Sequence, residues 1–481
     1  MSTALMTDRY ELTMLDAALR SGVASRRAVF EVFARSLPPG RRYGIVAGLG
    51  RLLDEIGEFR FGPRELDWLR RERVVSAAAL EWLEAFRLSA SIDAYEEGEC
   101  YFAGSPVLTL EAPFAEGLLL ETLVLSVLNA DSAVASAAAR MVAAAGGRDL
   151  VEMGSRRVHE AAAPACARAA YLAGFSSTSN LEAGMRYGIP TAGTASHAFS
   201  LAYASENEAF DAQLASSGPS TTLLVDTFDV ATGIERAVAA ARRAGAAGPG
   251  GVRIDSGDLA SGASRARRQL DRLGARETRI VVSSDLDEHL LAALRAAPVD
   301  AYGVGTSVAT GSGAPTAGFV YKLVAIARSE SGADVLRPVA KRSVGKAGSG
   351  GRKHAFRALD ASGRARAELL VVAPGTRSVA AAAAGPVAAR AEGAPRARVA
   401  PAEVPTDAGV RAAATTVAGD GASVRALQRR VVDGGEVLGR EDLTAARDRV
   451  WTSLGELGPE ALDVRPGPPA LVVELVARTS G

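Results

Sequence analysis

Cysteine is nearly missing from this chain: Cys100 and Cys166 are the only two in 481 residues. Their spacing fits no metal-binding or redox motif, which excludes a disulfide framework and points to a reducing, cytoplasmic setting. Net charge is missing too, since 55 basic and 55 acidic residues cancel. That removes the basic excess expected of a nucleic-acid-binding protein. No run of eighteen apolar residues offers a membrane span, and the N-terminus meets an acid at Asp8 without an apolar signal core. Aromatics make up only 5% of the chain, yet hydrophobic residues reach 48%, enough for ample core. At this length two or three domains are expected.

Lysine is the most telling scarcity. Only Lys322, Lys341, Lys346 and Lys353 occur among 55 basic residues, all within 32 positions. An ammonium is a compact point charge and a guanidinium a planar fork, so a lysine kept where arginine prevails marks a site arginine cannot serve. The Lys322–Lys353 segment is therefore weighted as functional.

Residues 1–145 read as a mixed helical and antiparallel region. Helical spacing covers 5–19, 43–56 and 63–71, a strand covers 27–37, a hairpin 94–109, and Ala-rich helix 117–146. From 146 to 330 the pattern changes. Short apolar runs, each closed by Gly, Ser, Thr or Asp, precede helical segments at 150–152, 173–175, 189–192, 223–225, 252–254, 280–282 and 301–304. Parallel strands need helical crossovers and bring their carboxyl ends to one face. A doubly wound open sheet gives the same local signal, but it concentrates reactive residues at one switch point. Here nearly every strand ends in them, so an (α/β) barrel is preferred. Residues 331–481 form a third, mixed region, with strands expected at 335–342 and 353–359, low-complexity sequence at 380–419 and a helix at 437–457.

The strand ends carry the chemistry. Thr194, Ser196 and His197 follow the 189–192 run, and this stretch alone leaves His197 open between a satisfied structural histidine and a reactive one. Gly303-Val304-Gly305-Thr306-Ser307 is a glycine turn with hydroxyls, suited to cradle a phosphate, and Ser283-Ser284 sits at the neighbouring tip. Asp226, Asp255 and Asp258 can serve Mg²⁺ or sugar hydroxyls, although Asp258 or Ser256 could equally cap the next helix. Arg253, inside an apolar run, needs an anion or a buried carboxylate. Arg156-Arg157 adds cations to the same face. Together these residues describe a site for a phosphorylated, pyrophosphate-bearing substrate.

The segments Leu5–Met14, Ala28–Phe33, Gly154–Arg157, Gly174–Gly184, Gly193–His197, Val252–Leu259, Gly303–Thr306 and Val320–Val324 resemble the nicotinate phosphoribosyltransferases, in family order. The resemblance implies an irregular (α/β) barrel of the type II phosphoribosyltransferase kind. It also implies a discontinuous N-terminal domain, a small C-terminal domain, and a homodimer with active sites at the subunit interface. The implied reaction joins nicotinate to phosphoribosyl pyrophosphate in NAD salvage, coupled to ATP hydrolysis with Mg²⁺. Relatives of the same fold act on nicotinamide or quinolinate, and a non-catalytic nucleotide-binding relative is the other alternative. By the same resemblance, His197 is the phosphorylated histidine. Tyr10, Phe175, Thr194 and Arg253 hold nicotinate. Arg156, Ser256, Gly257, Ser284, Gly305 and Thr306 surround the phosphoribosyl group, and Asp226 and Asp255 lie near ribose and Mg²⁺. Asp8 and Lys322 are further candidates.

Overall fold

The structure, a computed structural model, describes residues 2–329, 335–341, 349–373, 407–419 and 421–476. The chain divides into two compact units. One unit comprises 133–315 with 462–465; the other comprises 1–132, 316–461 and 466–481.

The first of these is built on six strands, Asp149–Glu152, Ser177–Thr178, Thr222–Leu224, Gly251–Ile254, Arg279–Ser284 and Ala301–Val304. All pairings are parallel, and the last strand pairs back with the first, Ala301 opposite Asp149. The sheet curls into an irregular, half-closed α/β barrel. Among the described residues its edge strands, Ser177–Thr178 and Thr222–Leu224, are not paired with each other, and only the Thr178–Thr191 bridge extends it toward the Thr222–Leu224 strand. Helices cover the strands, so Leu150, Leu223, Leu224, Val252, Ile254, Ile280, Val282, Tyr302 and Val304 are all buried.

Two expected strands differ. At 173–175 the chain is still leaving the Ala163–Leu172 helix: Phe175 N–H reaches back to Ala170 C=O, and Gly174 takes φ +123°. The strand starts two residues later. The 189–192 run forms a single bridge instead of a buried strand, because Pro190 has no N–H to donate and Thr191 and Ala192 are exposed.

The other unit holds a seven-stranded antiparallel sheet. Its order is Arg337–Pro338, Phe319–Ile326, Arg27–Ala34, Leu108–Pro113, Ser91–Tyr95, Gln428–Asp433, Glu436–Val437. Segments from both ends of the chain thus share one sheet. A four-stranded sheet orders Ser423–Ala426, Lys353–Leu359, Ala365–Val372 and Val472–Val476. The expected 335–342 strand shrinks to Arg337–Pro338, with Arg342 outside the described residues, as are Lys346 and residues 380–406. The 437–457 helix begins later, at Leu443, after a short strand. Helix Glu121–Ala145 is long and apolar enough to cross a membrane, but 72% of its most apolar window is buried in the protein, as in a core helix.

Candidate active site

Residues two apart on a strand share a face. Arg253 and Asp255 are such a pair, and in register Arg253 lies opposite Val281, which places Ser283 beside Asp255 on the next strand. The side chains meet accordingly. Arg253 Nε donates to Ser283 Oγ at 2.7 Å and Nη2 to Asp255 Oδ1 at 2.9 Å. Nη1 donates to Thr194 Oγ1 at 3.1 Å and, at 3.5 Å, to the Ala195 carbonyl. The Ser283 hydroxyl also donates to Asp255. Burial works against the charge on Asp255, but the bonds from Ser283 and Arg253 outweigh it and hold the carboxyl below its ordinary range.

Asp226 joins this cluster from the neighbouring strand end. Its Oδ2 accepts from Asp255 N–H and from Ser256 Oγ, each at 2.8 Å. The side chain is 2% exposed, and Oδ1 has no hydrogen-bond partner among the described residues. That oxygen lies 4.0 Å from His197 Nε2. His197 is the first residue of the short helix His197–Leu201, its side chain 43% exposed, with Nδ1 3.2 Å from Thr227 Oγ1. Gly257, at φ +80°, turns the chain away from Ser256 in a backbone region that only glycine enters freely.

A second group lies two strands along. The Gly154–Arg157 turn and the Gly305 turn touch, since a Cβ on Gly154 would stand 3.1 Å from the Gly305 carbonyl. Met153 N–H donates to Val304 C=O at 2.7 Å. Arg156, Ser284 and Thr306 are exposed at these tips.

The barrel unit therefore brings together Thr194, His197, Asp226, Arg253, Asp255 and Ser256. Ser283 rather than Ser284 is the serine that touches Arg253, and its buried position is a consequence of strand register that the doublet itself could not reveal. Phe175 is wholly buried. Asp8, Tyr10 and Lys322 belong to the other unit, where they share a neighbour the sequence did not single out, Glu121. Partial burial first, then Glu121, Glu11 and Asp8, push the Tyr10 phenol up to about 12. Burial draws the Lys322 ammonium down and Glu121 acts against it; its Nζ donates to the Tyr321 carbonyl at 2.8 Å. No group of three or more His, Cys, Asp or Glu side chains able to hold a metal occurs among the described residues.

Nicotinate phosphoribosyltransferase pncB1 of Mycobacterium tuberculosis is 53% identical over 374 residues, 76% of this chain and 80% of that protein. The chain belongs to the nicotinate phosphoribosyltransferase family. The family's sequence model for the nicotinate phosphoribosyltransferase (NAPRTase) N-terminal domain matches residues 5–129. The Bacillus subtilis nicotinate phosphoribosyltransferase is 36% identical over 366 residues, 75% of this chain and 74% of that protein. The crystal structure of human nicotinic acid phosphoribosyltransferase superposes with a TM-score of 0.75 at 26% identity, covering 98% of this chain and 97% of that one. A nicotinate-nucleotide pyrophosphorylase from Pyrococcus furiosus shares the fold, with a TM-score of 0.67 at 22% identity and coverage of 94% and 95%.

Proposed function

We propose that this protein is a nicotinate phosphoribosyltransferase that forms nicotinate mononucleotide and pyrophosphate from nicotinate and phosphoribosyl pyrophosphate, a salvage step toward NAD. The observation that carries this reading is the seating of Arg253. Of the five N–H donors of a guanidinium, four are engaged by Ser283, Thr194, Ala195 and Asp255, which fixes its plane and leaves one Nη2 hydrogen uncommitted among the described residues. A planar cation held in this way is suited to read the carboxylate that distinguishes nicotinate from nicotinamide.

The reaction itself asks little proton chemistry of the protein. The pyridine nitrogen attacks the anomeric carbon with its own lone pair while pyrophosphate leaves, so no general base is required. Catalysis then rests on positioning and on charge: Asp226 and Asp255 favour a ribose that becomes cationic, and Arg156 faces the departing phosphates. Mg²⁺, when bound, would neutralise pyrophosphate. The unpartnered Oδ1 of Asp226 together with Asp255 fits a magnesium held largely by water and substrate oxygens. His197, with an exposed imidazole, would accept the γ-phosphoryl group of ATP and couple its hydrolysis to synthesis. A cytoplasmic homodimer with shared active sites belongs to the same proposal. Exposed Leu181 and Met185, one helical turn apart, and exposed Leu201 and Phe228 support it.

The test is turnover of nicotinate, nicotinamide and quinolinate with phosphoribosyl pyrophosphate, with and without ATP. Nicotinate is expected to be the accepted base, and use of either other base in its place would overturn the assignment. Labelled phosphate from the γ position of ATP is expected on the protein in acid-labile form, absent from His197→Ala. That variant is expected to lose ATP stimulation and keep slow ATP-independent synthesis.

A further inference from the structure

Glu152 ends the first barrel strand and is 1% exposed, yet nothing in the reaction above uses it. A buried carboxylate costs free energy unless its oxygens are well bonded, and an apolar residue of that size would fill the space without the cost. Its two oxygens hold two different segments. Oε1 accepts from the Gly154 N–H, and Oε2 accepts from the Thr178 hydroxyl at 2.6 Å. The Thr178 oxygen accepts in turn from Asn180 N–H at 3.0 Å, and Asn180 Nδ2 donates to Ser155 Oγ at 3.0 Å. This ring of bonds closes on the Gly154–Arg157 turn from both sides. The turn has no slack at its first residue. A Cβ on Gly154 would lie 2.7 Å from Ala309 Cβ and 2.8 Å from Glu152 Oε1.

We propose that Glu152 is a positioning residue for the phosphoribosyl pyrophosphate site: it ties the Gly154–Arg157 turn to the Ser177–Asn180 segment and so fixes Ser155 and Arg156 for the phosphates. This rests on the activity proposed above. Both groups bonded to Glu152 are donors, so Glu152→Gln, with a single acceptor oxygen, turns an NH₂ toward one of them and releases that anchor. Thr178→Val removes the other end, and Thr178→Ser restores it.

The measurement is calorimetric binding of phosphoribosyl pyrophosphate to the full-length chain, with KM for both substrates and urea midpoints recorded alongside. Glu152→Gln and Thr178→Val are expected to weaken phosphoribosyl pyrophosphate binding about tenfold, the loss of one hydrogen bond to a charged group. KM for nicotinate should stay put, and Thr178→Ser should bind as wild type does. If Glu152→Gln does not fold, the Thr178 pair decides. Lowered midpoints with unchanged binding would make Glu152 merely structural and overturn the proposal. Wild-type protein that neither binds phosphoribosyl pyrophosphate nor makes product would instead overturn the activity, and the positioning role with it.

Discussion

Arg253 lies within an apolar strand and is tolerated there because Ser283, Asp255 and Thr194 each take one of its donors. A lysine in its place would keep the charge and lose the fork. Arg253→Lys is therefore expected to raise KM for nicotinate about tenfold or more, the scale of a lost charged hydrogen bond. Steady-state kinetics with nicotinate varied checks this, and an unchanged KM would remove the carboxylate-reading role. Lys353 shows the converse. It is buried, with Nζ 2.7 Å from Glu31 Oε2, 2.8 Å from the Gly351 carbonyl and 3.1 Å from the Ser349 carbonyl. The ammonium donates to two carbonyls and lies against a carboxylate, with 4% of the Lys353 side chain and none of the Glu31 side chain exposed. Its retention in an arginine-rich chain thus has a structural cause, whereas Lys322, half-buried beside Glu121, keeps the functional reading. Lys353→Arg is expected to destabilise the fold by about 1–3 kcal/mol through overpacking, seen as a lower urea midpoint. Lys322→Arg is expected to reduce turnover instead.

At the scale of the element, strand ends and helix starts share their polar residues by a simple spacing. Asp229, Asp258 and Asp287 cap the helices Val230–Arg243, Leu259–Arg272 and Glu288–Ala293. Each stands three residues after a strand-tip residue, respectively Asp226, Asp255 and Ser284. Capping is local: the Asp258 carboxylate accepts from Ser261 N–H at 3.1 Å. Of the residues three places earlier, Asp226 and Asp255 are left for longer-range bonds. Asp258→Ala is accordingly expected to cost about 1 kcal/mol of stability with turnover per folded molecule unchanged. Asp255→Ala is expected to reduce kcat strongly, since it strips Arg253 of its anion. Equal loss of activity in both variants would contradict this division. The spacing also explains what was legible in advance. Arg253, Asp226 and the glycine turns stand out because each violates its apolar or repetitive surroundings. The strand expected at 173–175 is indistinguishable by composition from the end of an Ala-rich helix; the bonds of Ala173, Gly174 and Phe175 N–H back to Ala169, Tyr171 and Ala170 separate them. The role of Ser283, and the ring of bonds around Glu152, depend on register and on distant partners, for which a single sequence carries no local signal.

At the scale of the whole molecule, the unit formed by both ends of the chain is joined through a buried ionic cluster. Arg357, fully buried, donates to Glu99 at 2.7 Å, Glu368 at 2.6 Å, Glu456 at 3.0 Å and the Cys100 carbonyl at 2.9 Å. Arg425 bridges Glu99 and Glu456 again, at 2.8 and 2.7 Å. The cluster thereby connects the four-stranded sheet, the Leu443–Leu457 helix and the short Cys100–Tyr101 strand. Burial would push the Glu99 carboxyl up, but Arg357 and Arg425 outweigh it and bring it down to about 2, from an ordinary 4.5. A carboxyl depressed on folding stabilises the protein above its unfolded value, and that contribution is lost as pH falls through the folded one. Glu368 is pushed up by burial, so its opposite slope lies above the ordinary carboxyl value and outside that window. Stability in urea is therefore expected to fall between pH 4.5 and 2 by an amount on the order of a few kcal/mol. Glu99→Gln is expected to be less stable at neutral pH, because Arg357 and Arg425 lose a carboxylate, and to show a flatter profile across that window. Urea midpoints for the two proteins at matched pH values provide the comparison. A wild-type profile as flat as that of Glu99→Gln would mean that Glu99 binds its proton equally well in the folded and unfolded chain, and that the cluster holds the ends together by packing rather than by charge.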